Sequence, residues 1–280
     1  MTIKQIVAAV EYRSDPNPVT RTGFTLAKRF GASLVLVYVI PMEDGPRYSG
    51  GLTLHAVMDE IAREQDAEAE IVRRRFEDAA RRHAVRSEWR SARGYPDDEV
   101  VLHSRYSDIA IIPQTDPDPP RFRAHLHADS VVLNAGRPVI VVPRERTRSG
   151  LKKRVLVAWN ASREATRAIN DALPILEAAD MVDVAVVNPG NGHEGMGGHG
   201  EEPGADIASH LARHGIHAEV HLEHTADEGV GSRLAQLGEE IGAALIVAGA
   251  YGYSPTHEFV TCGVTRHLLR NARVPVLFSR

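Results

Sequence analysis

The chain spells one order of elements twice, and that repetition limits its fold more than any single motif does. The first copy opens on IKQIVAAV (Ile3–Val10), a short apolar run with the β-branched content of a buried strand. A helix is expected over Pro16–Phe30, with proline at its start and Gly31 past its end. Strands follow at Ser33–Ile40, Ser87–Ala92, Asp108–Pro113 and Pro138–Pro143. Helices at Leu52–His83, Asp97–Tyr106 and Asp129–Ala135 separate them. Polar, basic Arg144–Lys153 suits a linker. The order then restarts, with strands at Arg154–Trp159, Val182–Val187, His217–Glu223, Ala243–Ala248 and Val274–Ser279. The intervening helices are Ser162–Ala179, Gly204–Gly215, Gly231–Gly242 and Val264–Ala272.

Repeats this long are whole domains, here 1–146 and 152–280, because solenoid units run only about 20–50 residues. Strands alternating with helices through right-handed crossovers give an α/β fold: two tandem open parallel five-stranded sheets flanked by helices. Few aromatics and abundant Val, Ile, Leu and Ala fit sheets covered on both faces. The final run, VPVLFS, is an apolar edge strand expected to pair with another copy or with PVIVVP of the first half.

Composition removes several function classes. A net charge of −4 leaves no electrostatic footprint for nucleic acid. Basic Arg73–Arg75 lies among Glu and Asp in a helical stretch and reads as a solvated face. A single cysteine, Cys262, excludes an intramolecular disulfide and a cysteine-based zinc cluster. No apolar run reaches the roughly 18–20 residues of a membrane span, and the N-terminus lacks signal-peptide architecture, so a cytoplasmic protein is expected.

Chemistry concentrates in GAYGYSPTHEFVTCGVTRHLL (Gly249–Leu269). In an open parallel sheet, ligands bind beyond the carboxyl ends of the strands, at the switch point of strand order. Gly249 and Gly252 stand just past such an end, and glycine permits close backbone approach. Gly263-Val264-Thr265 is expected to open the next helix, where free N–H groups form an anion site. Asn160, after the first strand of this copy, offers an amide to a ribose or base. The structural alternative is that a strand-to-helix turn needs glycines regardless of any ligand.

Gly-x2-Gly, a nine-residue gap, two small residues, Val-Thr and a short helix into a proline-containing last strand resemble the universal stress protein family in its tandem two-domain form. VAWNASREA (Val157–Ala165) is similar to the first-strand signature of tandem members. The resemblance covers nearly the whole chain and implies a Rossmann-like fold akin to the adenine nucleotide alpha hydrolases. It also implies ATP, with Mg, held by Ala158, Trp159, Asn160, Val187, Ala248, Gly249, Tyr251, Gly252, Gly263, Val264 and Thr265. Two residues depart from the pattern: Cys262 stands where the third glycine usually falls, and Asn160 where many ATP-binding members carry Asp.

The first copy lacks the motif. Its loop reads PQTDPDPPRFRAHLHADS, with Pro113 and Asp116 in place of the paired glycines and Glu11 in place of Asn160. Proline removes a donor and carboxylates repel phosphate, so this copy is expected to bind no ATP and to serve as a degenerate partner in an intramolecular pseudo-dimer. His193 and His199 lie in a glycine-rich loop that reads as a connection rather than a metal site. His257-Glu258 reads as loop surface, and Cys262 as a small buried thiol or a redox-sensitive one. Trp159 packs as core or stacks on a base.

No P-loop and no Gly-x-Ser-x-Gly elbow is present, so catalysis is limited to slow ATP hydrolysis at most. The expected protein is a nucleotide-binding stress-response protein. The alternative is a nucleotide-free module of the same fold that works through dimerisation.

Overall fold

The computed structural model describes residues 2–11, 17–41, 51–118, 124–144, 154–189, 202, 204–225, 229–252 and 258–280, with backbone alone at 51–57 and 258–262. The chain forms two compact units, Ile3–Val131 and Val132–Arg280, which divide within one helix.

The first unit contains β1 (Gln5–Glu11), α1 (Asn17–Phe30), β2 (Ser33–Pro41), α2 (Gly51–His83), β3 (Ser87–Gly94), α3 (Pro96–Ser104) and β4 (Ile109–Pro113). Its strands run parallel in the order β3-β2-β1-β4. The apolar runs that mark β1, β2 and β4 are buried almost throughout, as strands covered on both faces must be. Four aromatics form one stack: Phe24 lies on Phe76 at 5.5 Å, Phe76 beside Trp89 at 6.3 Å, and Tyr38 on Trp89 at 5.5 Å. Arg73 and Arg74 pair at 2.8 Å with Glu77 and Glu70 along α2, so this basic run is the solvated face that its spacing suggests.

The dividing helix, α4 (Ala128–Asn134), leads into β5 (Val139–Val142). The second unit continues with β6 (Arg154–Ala158), α5 (Arg163–Glu177), β7 (Met181–Val187), α6 (Ala205–Arg213) and β8 (Ala218–Glu223). It closes with α7 (Val230–Glu240), β9 (Leu245–Gly249), α8 (Glu258–Asn271) and β10 (Val276–Ser279). Strand order is β5-β10-β9-β6-β7-β8, parallel except for the antiparallel β5–β10 pair.

One expectation is met and one changes. Of the two partners expected for VPVLFS, the first copy's PVIVVP is the one it takes: β5 hydrogen-bonds antiparallel to β10, with Val139, Ile140 and Val141 opposite Phe278, Leu277 and Val276. All six residues are buried, and the pairing covers the apolar edge that VPVLFS otherwise leaves open. The helix after the glycine loop also starts at Glu258, not at Val264. Nothing from Glu258 onward forbids helix. A single glycine inside costs only about 1 kcal/mol.

Candidate functional site

In the second unit, β6 sends the chain to β7 and β8 on one side and has β9 and β10 on the other. The switch point therefore lies between the carboxyl ends of β6 and β9, where such sheets take ligands. Ala158 ends β6, Val187 ends β7, and Ala248 and Gly249 end β9, so the sequence-marked residues of three adjacent strands share one sheet edge.

This edge also carries backbone strain. Among the described residues, four that are not glycine have positive φ, and three of them follow these strands: Ala161 at 56°, Asn188 at 52° and Tyr251 at 54°. Asn tolerates that region, but Ala and Tyr do so at a cost, and such residues gather where an arrangement serves a ligand.

Local hydrogen bonds fix the β6–α5 turn. Trp159 N–H donates to the Ala185 carbonyl at 2.9 Å, holding the chain beside β7 after the strand ends. Asn160 is exposed, and its Oδ1 accepts from Ser162 N–H at 3.2 Å and from the Ser162 hydroxyl at 2.7 Å. Ser162 caps α5 by accepting the Ala165 N–H at 3.1 Å. The Asn160 side-chain oxygen is thus committed to the turn.

The paired glycines have a packing reason. A Cβ on Gly249 would stand 2.5 Å from Ala165 N and 2.6 Å from Glu164 C, both backbone atoms of the first turn of α5. A Cβ on Gly252 would stand 2.9 Å from Glu164 Oε2. Neither glycine has positive φ; each is small because α5 begins against the loop. Tyr251 N–H donates to Thr265 Oγ1 at 3.3 Å, and Thr265 is buried.

Gly263, Val264 and Thr265 are the sixth to eighth residues of α8, so their N–H groups serve intrahelical bonds. The unpaired donors of that helix belong to its first turn. Gly263 is exposed and a Cβ there would meet nothing within 4 Å. Gly263, expected to open this helix, therefore lies inside it. The Cys262 side chain, His257, His193 and His199 lie outside the described residues.

In the first unit, side chains from three separate segments tie down the chain that leads into α4. Glu11, at the end of β1, accepts the N–H of Leu126 through Oε1. Asp97 accepts the His127 N–H at 2.8 Å, and Thr115 Oγ1 accepts the Ala128 N–H at 2.9 Å. Three successive N–H groups ahead of α4 are thus satisfied by side chains of the same unit.

A second polar cluster lies within the sheet. Asp183, in the third position of β7, is fully buried. Its oxygens accept from Arg154 Nε and Nη2 at 2.6 and 2.7 Å and from His221 Nε2 at 2.7 Å. Burial alone raises a carboxyl pKa, but here the Arg154 and His221 donors outweigh it and hold Asp183 below its usual value. Asp183, Glu219 and His221 lie close enough to hold a metal ion. The Arg154 fork already occupies both Asp183 oxygens, so the cluster reads as a buried ion pair with a histidine. The sequence signalled it by placing one carboxylate inside the apolar run VDVAVV. A depression of about 540 Å³ between α7 and α8, lined by Ser232, Gln236, Glu239, Glu240, His267 and Arg273, takes in none of the sequence-marked site residues.

Residues brought together are therefore Ala158, Trp159, Asn160, Val187, Ala248, Gly249, Tyr251 and Gly252, with Thr265 behind them. Glu164 was not foreseen. Its signal was a carboxylate two residues after the N-cap, directly beneath a Gly-x2-Gly loop.

The order of elements defines an α/β protein of mostly parallel strands, with left-handed residues just past the carboxyl ends of three of them. The sequence profile of the Universal stress protein family matches residues 2–143, and the chain belongs to that family. The matched segment is the first copy, which lacks the glycine loop. A universal stress protein from Archaeoglobus fulgidus DSM 4304 is similar over 100% of this chain and 97% of its own, at 16% identity and a TM-score of 0.74. A functionally unknown protein from Pseudomonas aeruginosa PAO1 is similar over 99% of this chain and 92% of its own, at 13% identity and a TM-score of 0.58. At these identities the likeness concerns the fold. No curated protein matches the chain. Among the described residues, no helix is long and apolar enough to cross a membrane.

Proposed function

We propose that this universal stress protein binds an adenine nucleotide in its second unit and uses occupancy to change what it contacts. The observation that carries the reading is the convergence of left-handed residues Ala161, Asn188 and Tyr251 on the switch-point edge, beside a loop that carries no side chain at Gly249 and Gly252. Ala158, Trp159 and Asn160 would flank the base and ribose from β6, and Val187 from β7. Ala248, Gly249, Tyr251 and Gly252 would contribute main-chain groups from the β9 side, with Val264 and Thr265 behind them and Gly263 on the helix surface. ATP with Mg is the first ligand to test. The first unit, with Glu11, Asp97 and Thr115 already on the N–H groups ahead of α4, takes no nucleotide in this reading.

The competing reading is a nucleotide-free interaction module of the same fold, acting through dimerisation. It is favoured by the packing role of Gly249 and Gly252 against α5. Mass spectrometry of small molecules released from the purified full chain, together with thermal shifts on adding adenine nucleotides, separates the two. An adenine compound in the released fraction, or a dose-dependent shift at millimolar ligand, supports nucleotide binding. An empty preparation with no shift leaves the interaction module.

A further inference from the structure

Glu164 stands where a nucleotide would meet the glycine loop, yet its chemistry suits the sugar better than the phosphates. It is the second residue of α5, after Ser162 at the N-cap, and an acidic residue there favours the helix dipole. That role needs no burial, since a solvated carboxylate serves it. Glu164 is only 9% exposed. Its Oε1 accepts from Arg163 Nη2 at 3.2 Å, a guanidinium whose own side chain is 94% exposed. Among the described residues no donor meets Oε2, the oxygen that lies 2.9 Å from where a Cβ would stand on Gly252.

Three backbone donors of the two turns beside this carboxylate are already in use. Ser162 N–H goes to Asn160, Ala165 N–H to Ser162, and Tyr251 N–H to Thr265. Gly263, Val264 and Thr265 spend their N–H groups within α8. A triphosphate needs converging donors and repels a fixed negative charge. A ribose offers hydroxyl donors, which a carboxylate accepts in strong, charge-assisted bonds.

Resting on the nucleotide reading above, we propose that Glu164 is the specificity-determining residue of the loop: it accepts a ribose hydroxyl and selects adenosine or its monophosphate over the triphosphate. Gly252 is then glycine because a side chain there would displace the carboxylate from beneath the loop.

Titration calorimetry on the full chain with adenosine, 2′,3′-dideoxyadenosine, AMP and Mg-ATP tests this. Adenosine and AMP are expected to bind at least as tightly as ATP, and the dideoxynucleoside about tenfold or more weaker than adenosine. Glu164→Gln keeps the shape and removes the charge, so it should shrink the sugar discrimination and shift preference toward ATP. Circular dichroism and a melting curve confirm that the variant folds. Glu164→Ala provides a second variant, expected to lose the discrimination altogether. ATP binding tenfold tighter than AMP, or equal binding of adenosine and its dideoxy analogue, overturns the role of Glu164 while leaving nucleotide binding intact. Silence with all four compounds overturns the nucleotide reading itself and this inference with it.

Discussion

Glu11 accepts the backbone N–H of Leu126 across 115 positions of the chain, tying the end of β1 to the segment ahead of α4. Leu126 is buried, so its amide has no water to fall back on once the carboxylate is gone. Glu11→Ala should therefore weaken the local structure by about 1.5–3 kcal/mol, the range for a hydrogen bond to a charged group. Hydrogen exchange at Leu126 reads this directly, with faster exchange expected in the variant. Unchanged protection there would show that the bond holds nothing in place.

Asp183 makes a prediction with a definite pH signature. Removing it leaves Arg154 and His221 without their shared acceptor, and breaking a buried ion pair typically costs about 3–5 kcal/mol. Asp183→Ala should show that loss in chemical denaturation at neutral pH. The folded pKa of Asp183 is lowered, so the stabilisation is fully present above its ordinary value of 3.8 and disappears as pH falls through the lower folded value. Wild type and variant should converge in strongly acidic solution. A gap that stays constant down to low pH would mean that ionisation of Asp183 contributes nothing.

The motif glycines should behave in opposite ways. Gly249→Ala drives a Cβ into backbone atoms of α5 that cannot rotate aside, so a loss of about 1–3 kcal/mol is expected. Gly263 sits in a helix with open space around it, so Gly263→Ala should stabilise the protein by about 0.5–1 kcal/mol. Melting curves of the two variants settle the matter. Destabilisation at residue 263 would mean that this glycine is not helical.

Ser162→Ala removes the side-chain cap of α5 and one partner of Asn160. A loss of about 1 kcal/mol is expected from denaturation. A variant as stable as wild type would show that the turn holds without its hydroxyl.

The sequence made the strands legible because parallel strands covered on both faces must be apolar throughout, as in SLVLVYVI and AALIVA. It made the switch-point edge legible because glycines punctuate the end of β9. It misplaced the start of α8, since glycine and threonine in mid-helix are tolerated at small cost and neither marks a boundary. The partner of β5 was legible only as an option, because an apolar edge states a need for cover without naming what covers it. Glu164 was overlooked because a first-turn acid is ordinary on a helix; only its burial beneath Gly252 makes it unusual. Asp183 needed Arg154 and His221, which come from other strands and meet it only after folding.

The β5–β10 ladder means that the linker is not a seam. A fragment begun at Arg154 would lack Val139–Val142 and leave the last strand with a bare, apolar flank, open to any stray chain. Dissecting the duplication therefore requires a cut upstream of Val139, and separate expression of the later copy from its apparent boundary should yield aggregates.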